Sequence, residues 1–185
     1  METGAFRSDP YTRLINDKIT VADTDNTIVF TQYQQKASEG KAAFTIYHNG
    51  SLASGSTGTL LLVNPSGSGK TINIITVSVN STDQGEIGYV ADPSYSGGTA
   101  LAVYSFEVGG SYSGVAKAYA DPTLSGGTTL PSEVCPGGSG RRAIGGANSG
   151  YVAFILPEGH SIAFQFKNTS SNSNDVSIKV EWWEE

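Results

Sequence analysis

Residues 64–80 read NPSGSGKTINIITVSVN, and two readings of this stretch compete. Its first half has the composition of a phosphate-binding loop: a glycine-rich turn, then Lys70, then the hydroxyl of Thr71. Such a loop needs glycine at its first position, so that the backbone can wrap the anion, and a helix directly behind it. Position one here is Asn64, and Pro65 beside it has no N–H to offer. The second half decides. Through TINIITVSVN the apolar side chains fall at Ile72 and Ile74, then at Ile75, Val77 and Val79. A period of two with one slip of parity predicts a strand with a bulge between Ile74 and Ile75. β-Branched residues at this density are poor helix material. GTLLLVNP ahead of the loop is equally strand-like, so the whole predicts a hairpin. No helix dipole then points at the glycines, and the nucleotide reading is set aside.

The same period runs through the rest of the chain. TIVFTQYQ (27–34), AAFTIYH (42–48), EIGYVADPS (86–94), TALAVYSFEV (99–108) and GVAKAYADP (114–122) all read as strands. In the fourth of these, Ala102, Tyr104, Phe106 and Val108 share one face. YVAFILP (151–157), SIAFQFKN (161–168) and DVSIKVEWW (175–183) close the chain. HNGSLASGSTG (48–58) reads as a loop, and so does nearly all of 123–150, with a short extended piece at 128–134. No segment sustains a helical repeat. Nine or ten short strands with frequent turn signals predict an all-β protein, a sandwich or barrel. Residues 1–26 form an arm or lead-in, and 27–185 a single β-sandwich domain.

Composition narrows the function. Charged residues are 15% of the 185, glycines number 23, and the formal net charge is −6. A negative chain with only Arg141–Arg142 as a basic pair has no footprint for nucleic acid or an anionic membrane surface. The N-terminus carries no signal-like apolar run, and no stretch reaches membrane-spanning length. Cys135 is the one cysteine, read as a small loop residue. The sequons at Asn80 and Asn168 read as polar surface loops.

YVADPSYSGGTAL (89–101) recurs as YADPTLSGGTTL (119–130). In each copy a strand reaches Asp-Pro, turns, and leaves through Gly-Gly-Thr, so two strand ends share one turn chemistry. Asp92 and Asp121 cap these turns. Calcium is the competing role, but each repeat offers a single acid where calcium wants several. His48 and His160 lie far apart and lack the companions of a metal centre, and His160 reads as a turn residue. No nucleophile elbow is present, and Glu86, Glu107, Glu133 and Glu158 are dispersed. The expectation is a non-enzyme with no cofactor and no metal.

Two places suggest assembly instead. On the last strand, Val176, Ile178, Val180 and Trp182 point inward, which leaves Trp183 outward with Ser177, Lys179 and Glu181. An outward tryptophan serves an interface or folds onto a neighbouring loop. In YVAFILP both faces are apolar, Tyr151, Ala153 and Ile155 on one side and Val152, Phe154 and Leu156 on the other. Such a strand is covered within the fold or by another subunit. In the arm, Phe6, Tyr11, Leu14 and Ile15 are spaced to dock on a neighbour.

LLVNPSGSGKTINI, the two ADPxxxGGTxL turns and the closing LPEGHSIAFQFKN and VSIKVEWWEE resemble small jelly-roll virion proteins of tailed phages and related double-stranded DNA viruses. These include capsid decoration proteins, head fibres and spikes. The resemblance implies an eight-stranded sandwich of two antiparallel sheets, a homotrimer, and an N-terminal arm anchored to the major capsid or another virion protein. It carries no catalytic residues. The expected function is therefore a virion structural protein located on the capsid surface or a fibre. The alternative is a carbohydrate-binding module, the receptor-reading head of a fibre, with Tyr95, Tyr112 and Trp183 as candidate glycan contacts.

Overall fold

The structure is a computed structural model and describes residues 43–106, 109, 113–135 and 154–185. The arm residues Phe6, Tyr11, Leu14 and Ile15, the strand expected at 27–34, and Tyr112, Arg141, Arg142 and Tyr151 lie outside the described residues.

The described chain is all-β. Its strands are β1 (Ala43–Leu52), β2 (Thr57–Val63), β3 (Ile72–Ser81), β4 (Gly85–Ala91), β5 (Ser94–Ser96), β6 (Thr99–Leu101) and β7 (Tyr104–Ser105). They continue with β8 (Lys117–Ala120), β9 (Thr123–Ser125), β10 (Thr128–Cys135), β11 (Phe154–Leu156), β12 (Ser161–Asn168) and β13 (Asn174–Glu184). One sheet has the order β11-β3-β13-β1-β7, the other β10-β4-β12-β2-β8-β6, and β5 pairs with β9 in a separate ribbon. The antiparallel pairs β1–β13, β2–β12, β3–β11 and β4–β10 are nested in the chain. Consecutive strands β1 to β4 alternate between sheets, and so do β10 to β13. This is a long antiparallel hairpin rolled up on itself, the jelly-roll arrangement, with β5–β9 inserted between its fourth and fifth strands.

Alternation places the core. Ile46, Leu60, Leu62, Ile87, Phe164, Phe166, Ile178 and Val180 point between the sheets and are buried. Phe44 and Trp182 face each other across β1 and β13, their ring centroids 5.8 Å apart. The bulge on β3 lies where the sequence put it. Thr76 pairs with Glu181 and Ile74 with Trp182, so Ile75 has no partner on β13, while Ile72, Ile74, Val77 and Val79 are all buried.

Several sequence expectations are corrected. β2 and β3 belong to different sheets, so residues 64–71 cross the end of the sandwich and close no hairpin. The loop expected from 48 begins only after Leu52, because β1 continues to pair with β13 as far as Asn174. The strand expected over 99–108 breaks in two: β6 pairs with β8 in one sheet and β7 with β1 in the other. Tyr104 and Phe106 consequently end up exposed. Within 123–150, β9 replaces loop while β10 matches the extended piece expected at 128–134, and Cys135, read as a loop residue, closes β10 in a buried position with its Sγ 3.3 Å from Ser81 Oγ. Asn168 is fully buried and not a surface residue; its Nδ2 donates to the carbonyls of Leu52 and Asn172.

The repeated turns obey one geometry twice. Asp92 and Asp121 adopt φ of 49° and 48°, Gly97 and Gly126 67° and 65°, Gly98 and Gly127 86° and 81°. Asp92 N donates to Ser161 O and its Oδ1 accepts from Ser161 N; Asp121 makes the same pair with Thr59. Pairing registers match as well. Ala91 lies between Ile162 and Thr128, and Ala120 between Leu60 and Thr99. A local two-fold axis therefore relates β10-β4-β12 to β6-β8-β2. It passes through the Leu61–Ala163 pair of the sheet and the Tyr95–Leu124 pair of the ribbon. Leu61 and Ala163 are fully buried yet stand outside the inter-sheet core, and the β5–β9 ribbon lies on the same axis.

At Gly127 a Cβ would stand 2.7 Å from the Ala91 carbonyl oxygen and 2.9 Å from Pro93 Cα, whereas at Gly126 it would meet open space. Both have positive φ. Gly126→Ala should then cost about 1 kcal/mol for the left-handed backbone alone. Gly127→Ala should cost about 2–4 kcal/mol, because the turn must also move apart. Urea unfolding of the two variants checks this; equal losses would contradict it.

Candidate functional site

Where β4 ends, the first Asp-Pro turn, the ribbon strand β5 and the β11–β12 turn surround a groove of about 650 Å³. Ser66, Asp92, Tyr95, Lys117, Tyr119 and His160 line it. Each is placed by an element already described. Tyr119 and Lys117 alternate with the buried Ala118 and Ala120 on β8, so parity turns them to the outer face of the sheet. Tyr95 sits at the centre of the ribbon, 40% exposed, its ring 5.4 Å from that of Tyr119 at 38°. Burial, followed by the neighbouring Tyr119 hydroxyl, pushes the Tyr95 phenol above its ordinary range.

His160 Nδ1 lies 2.9 Å from Asp92 Oδ2, while Asp92 Oδ1 accepts from Ser161 N. Both carboxylate oxygens are therefore occupied. The backbone N–H of Ser161, then the His160 contact, hold the Asp92 carboxyl below the usual carboxylate range. Among the described residues Lys117 forms no ion pair, and it is exposed. The groove thus offers two tyrosine rings, a cation without a counter-charge and a fixed set of polar atoms. Such a surface suits a polar ligand with at least one flat, weakly polar face.

The glycine loop is occupied by the protein itself. Gly67 N and Gly69 N both donate to the Glu158 carboxylate, the second at 2.9 Å, so the anion this loop holds is internal. Asn64, the departure from the phosphate-loop pattern, is fully buried and ties the loop to the Lys70 and Leu156 carbonyls. Asp92 and Asp121 cap their turns as expected, and His48 Nε2 is 3.0 Å from Asp121 Oδ2. No three metal-ligating side chains cluster among the described residues. No helix there is long and apolar enough to cross a membrane.

Of the expected glycan contacts, Tyr95 lines the groove, Tyr112 lies outside the described residues, and Trp183 is elsewhere. Trp183 faces away from the core, as parity requires, but is only 7% exposed, which fits the second of its two expected roles, covered by its own chain. The neighbouring Trp182 Nε1 donates to Glu184, whose carboxylate also accepts from the backbone N–H of Val115 and Ala116. The aromatic–acidic C-terminus therefore serves internal packing. Ile155 is 66% exposed on β11. Sequence reasoning missed Lys117, Tyr119 and His160 as groove residues. A signal was present in the repeat, where Tyr95 stands opposite Leu124 in otherwise similar copies.

No protein-family model matches the chain, and no curated protein matches it.

The depressed Asp92 value has a sign. Its stabilisation is complete above the ordinary carboxylate value of 3.8 and is lost as pH falls through the lower folded-state value. The melting temperature of the protein should exceed that of Asp92→Asn at neutral pH, with the gap closing below about pH 4. A gap that is constant down to pH 2 would contradict the assignment.

Proposed function

We propose that the chain is a non-enzymatic virion structural protein, a capsid decoration, head-fibre or spike subunit that works by self-association and by docking on a shell. The observation that carries the reading is one lateral edge of the sandwich. β13 packs over β12 and β1 over β2, so among the described residues β11 and β10 end their sheets on the same side. On that side Ile155 is 66% and Val134 81% exposed. Sheet edges with unpaired backbone groups and bare apolar side chains are liabilities unless something covers them. A sister subunit of a symmetric oligomer does so, and a jelly roll built for a shell has that need. The likeness of LLVNPSGSGKTINI and the two ADPxxxGGTxL turns to virion jelly rolls points the same way.

A second reading, a carbohydrate-binding head, is favoured by the Tyr95–Tyr119 groove. Aromatic rings beside fixed hydrogen-bonding groups suit the apolar faces and hydroxyls of a sugar.

Light scattering of the full chain at micromolar concentration should give about three times 19.3 kDa. Ile155→Lys with Val134→Lys should reduce it to the monomer without loss of strand signal in circular dichroism. A wild-type protein that is already monomeric would overturn the assembly reading.

A further inference from the structure

We infer that the groove beside Asp92 takes an acidic saccharide, with Lys117 binding the ligand's negative charge and the Tyr95–Tyr119 pair supporting a sugar ring. This rests on the saccharide reading above and specifies its ligand class.

The internal two-fold provides a control inside the molecule. It carries Asp92 onto Asp121, Pro93 onto Pro122 and the Gly97–Gly98 pair onto Gly126–Gly127, and these residues are kept because the turn requires them. It carries Tyr95 onto Leu124, Tyr119 onto Val90, Lys117 onto Gly88 and His160 onto Gly58. The second copy therefore forms the same turn, the same ribbon strand and the same sheet register without the two tyrosines and the lysine, while His48 stands on Asp121 as His160 stands on Asp92. The fold does not demand two tyrosines and a lysine here. Their convergence on one groove of about 650 Å³, within the ~300–1,000 Å³ of small-ligand sites, calls for a ligand.

Charge chooses its class. Asp92 has both oxygens engaged, by Ser161 N and His160 Nδ1, and has little left to offer a sugar hydroxyl. Lys117 is the ionised group of the groove left without a partner among the described residues, in a protein whose formal net charge is −6. A carboxylate or sulfate on the saccharide supplies that partner, and a charge-assisted hydrogen bond is roughly twice as strong as a neutral one.

The test compares 3′-sialyllactose with lactose by calorimetric titration of the full chain. Sialyllactose should bind about tenfold more tightly. Lys117→Met should bring its affinity down to that of lactose. Tyr119→Val and Tyr95→Leu borrow residues the fold already accepts at the equivalent positions, so they should keep the melting temperature and lose both sugars. Lys167→Met, in the equivalent groove on the other side of the axis, should change nothing. Equal affinity for the two sugars, or a preference that survives in Lys117→Met, would overturn the inference and leave the saccharide reading standing. Failure of both sugars to bind would overturn the two together.

Discussion

A chain that rolls between two sheets must leave one ladder and enter the other many times, and at each departure its backbone N–H and C=O groups lose their partners. Burial without replacement would cost about 1–3 kcal/mol per group. This molecule meets that constraint with short polar side chains fixed at the strand ends. Asn64, Asn168 and Asn174 are fully buried, and each bonds to backbone across a turn. Asp92 and Asp121 continue the ladder past Ser161 and Thr59 with their carboxylates. Glu158 and Glu184 collect otherwise unpaired N–H groups from the 64–70 loop and from Val115 and Ala116. The core gains from Leu, Ile, Phe and Trp burial depend on these side chains, because the sheets cannot stack unless their ends close.

The same accounting separates what builds the fold from what exceeds it. The two-fold-related turns share aspartate, proline and paired glycines, and both prolines are buried. What differs between the copies is the chemistry facing solvent. At the equivalent positions one side carries Tyr95, Tyr119 and Lys117 and the other Leu124, Val90 and Gly88, and a histidine stands on the aspartate in both. Strand geometry tolerates either set, so the fold does not account for the difference. The two proposals are compatible on such a scaffold, because Ile155 and Val134 lie on β11 and β10 whereas none of the groove's lining residues does.

Burial in this sandwich extends beyond the space between the sheets, which reshapes the meaning of outward. Leu61, Ala163 and Trp183 all point away from the inter-sheet core and are all covered. Parity states which face of a sheet a side chain leaves from. Whether water lies beyond that face depends on what else packs there, which alternation does not state.

The sequence by itself determined the all-β class, the bulge at Ile75, the extents of β12 and β13 to within a residue, and the duplicated Asp-Pro turns. Each of these follows from local stereochemistry: alternation of side chains, the stiffness of β-branched residues, the corner set by proline and the positive φ open to glycine. Tertiary structure alone decided that residues 64–71 cross between sheets, that 99–106 divides between them, that Trp183 is covered, and that Tyr95 meets Tyr119 above Lys117. Those outcomes depend on which distant strand supplies the hydrogen-bond partner, a choice made by the whole set of registers at once and not encoded in any window of the chain.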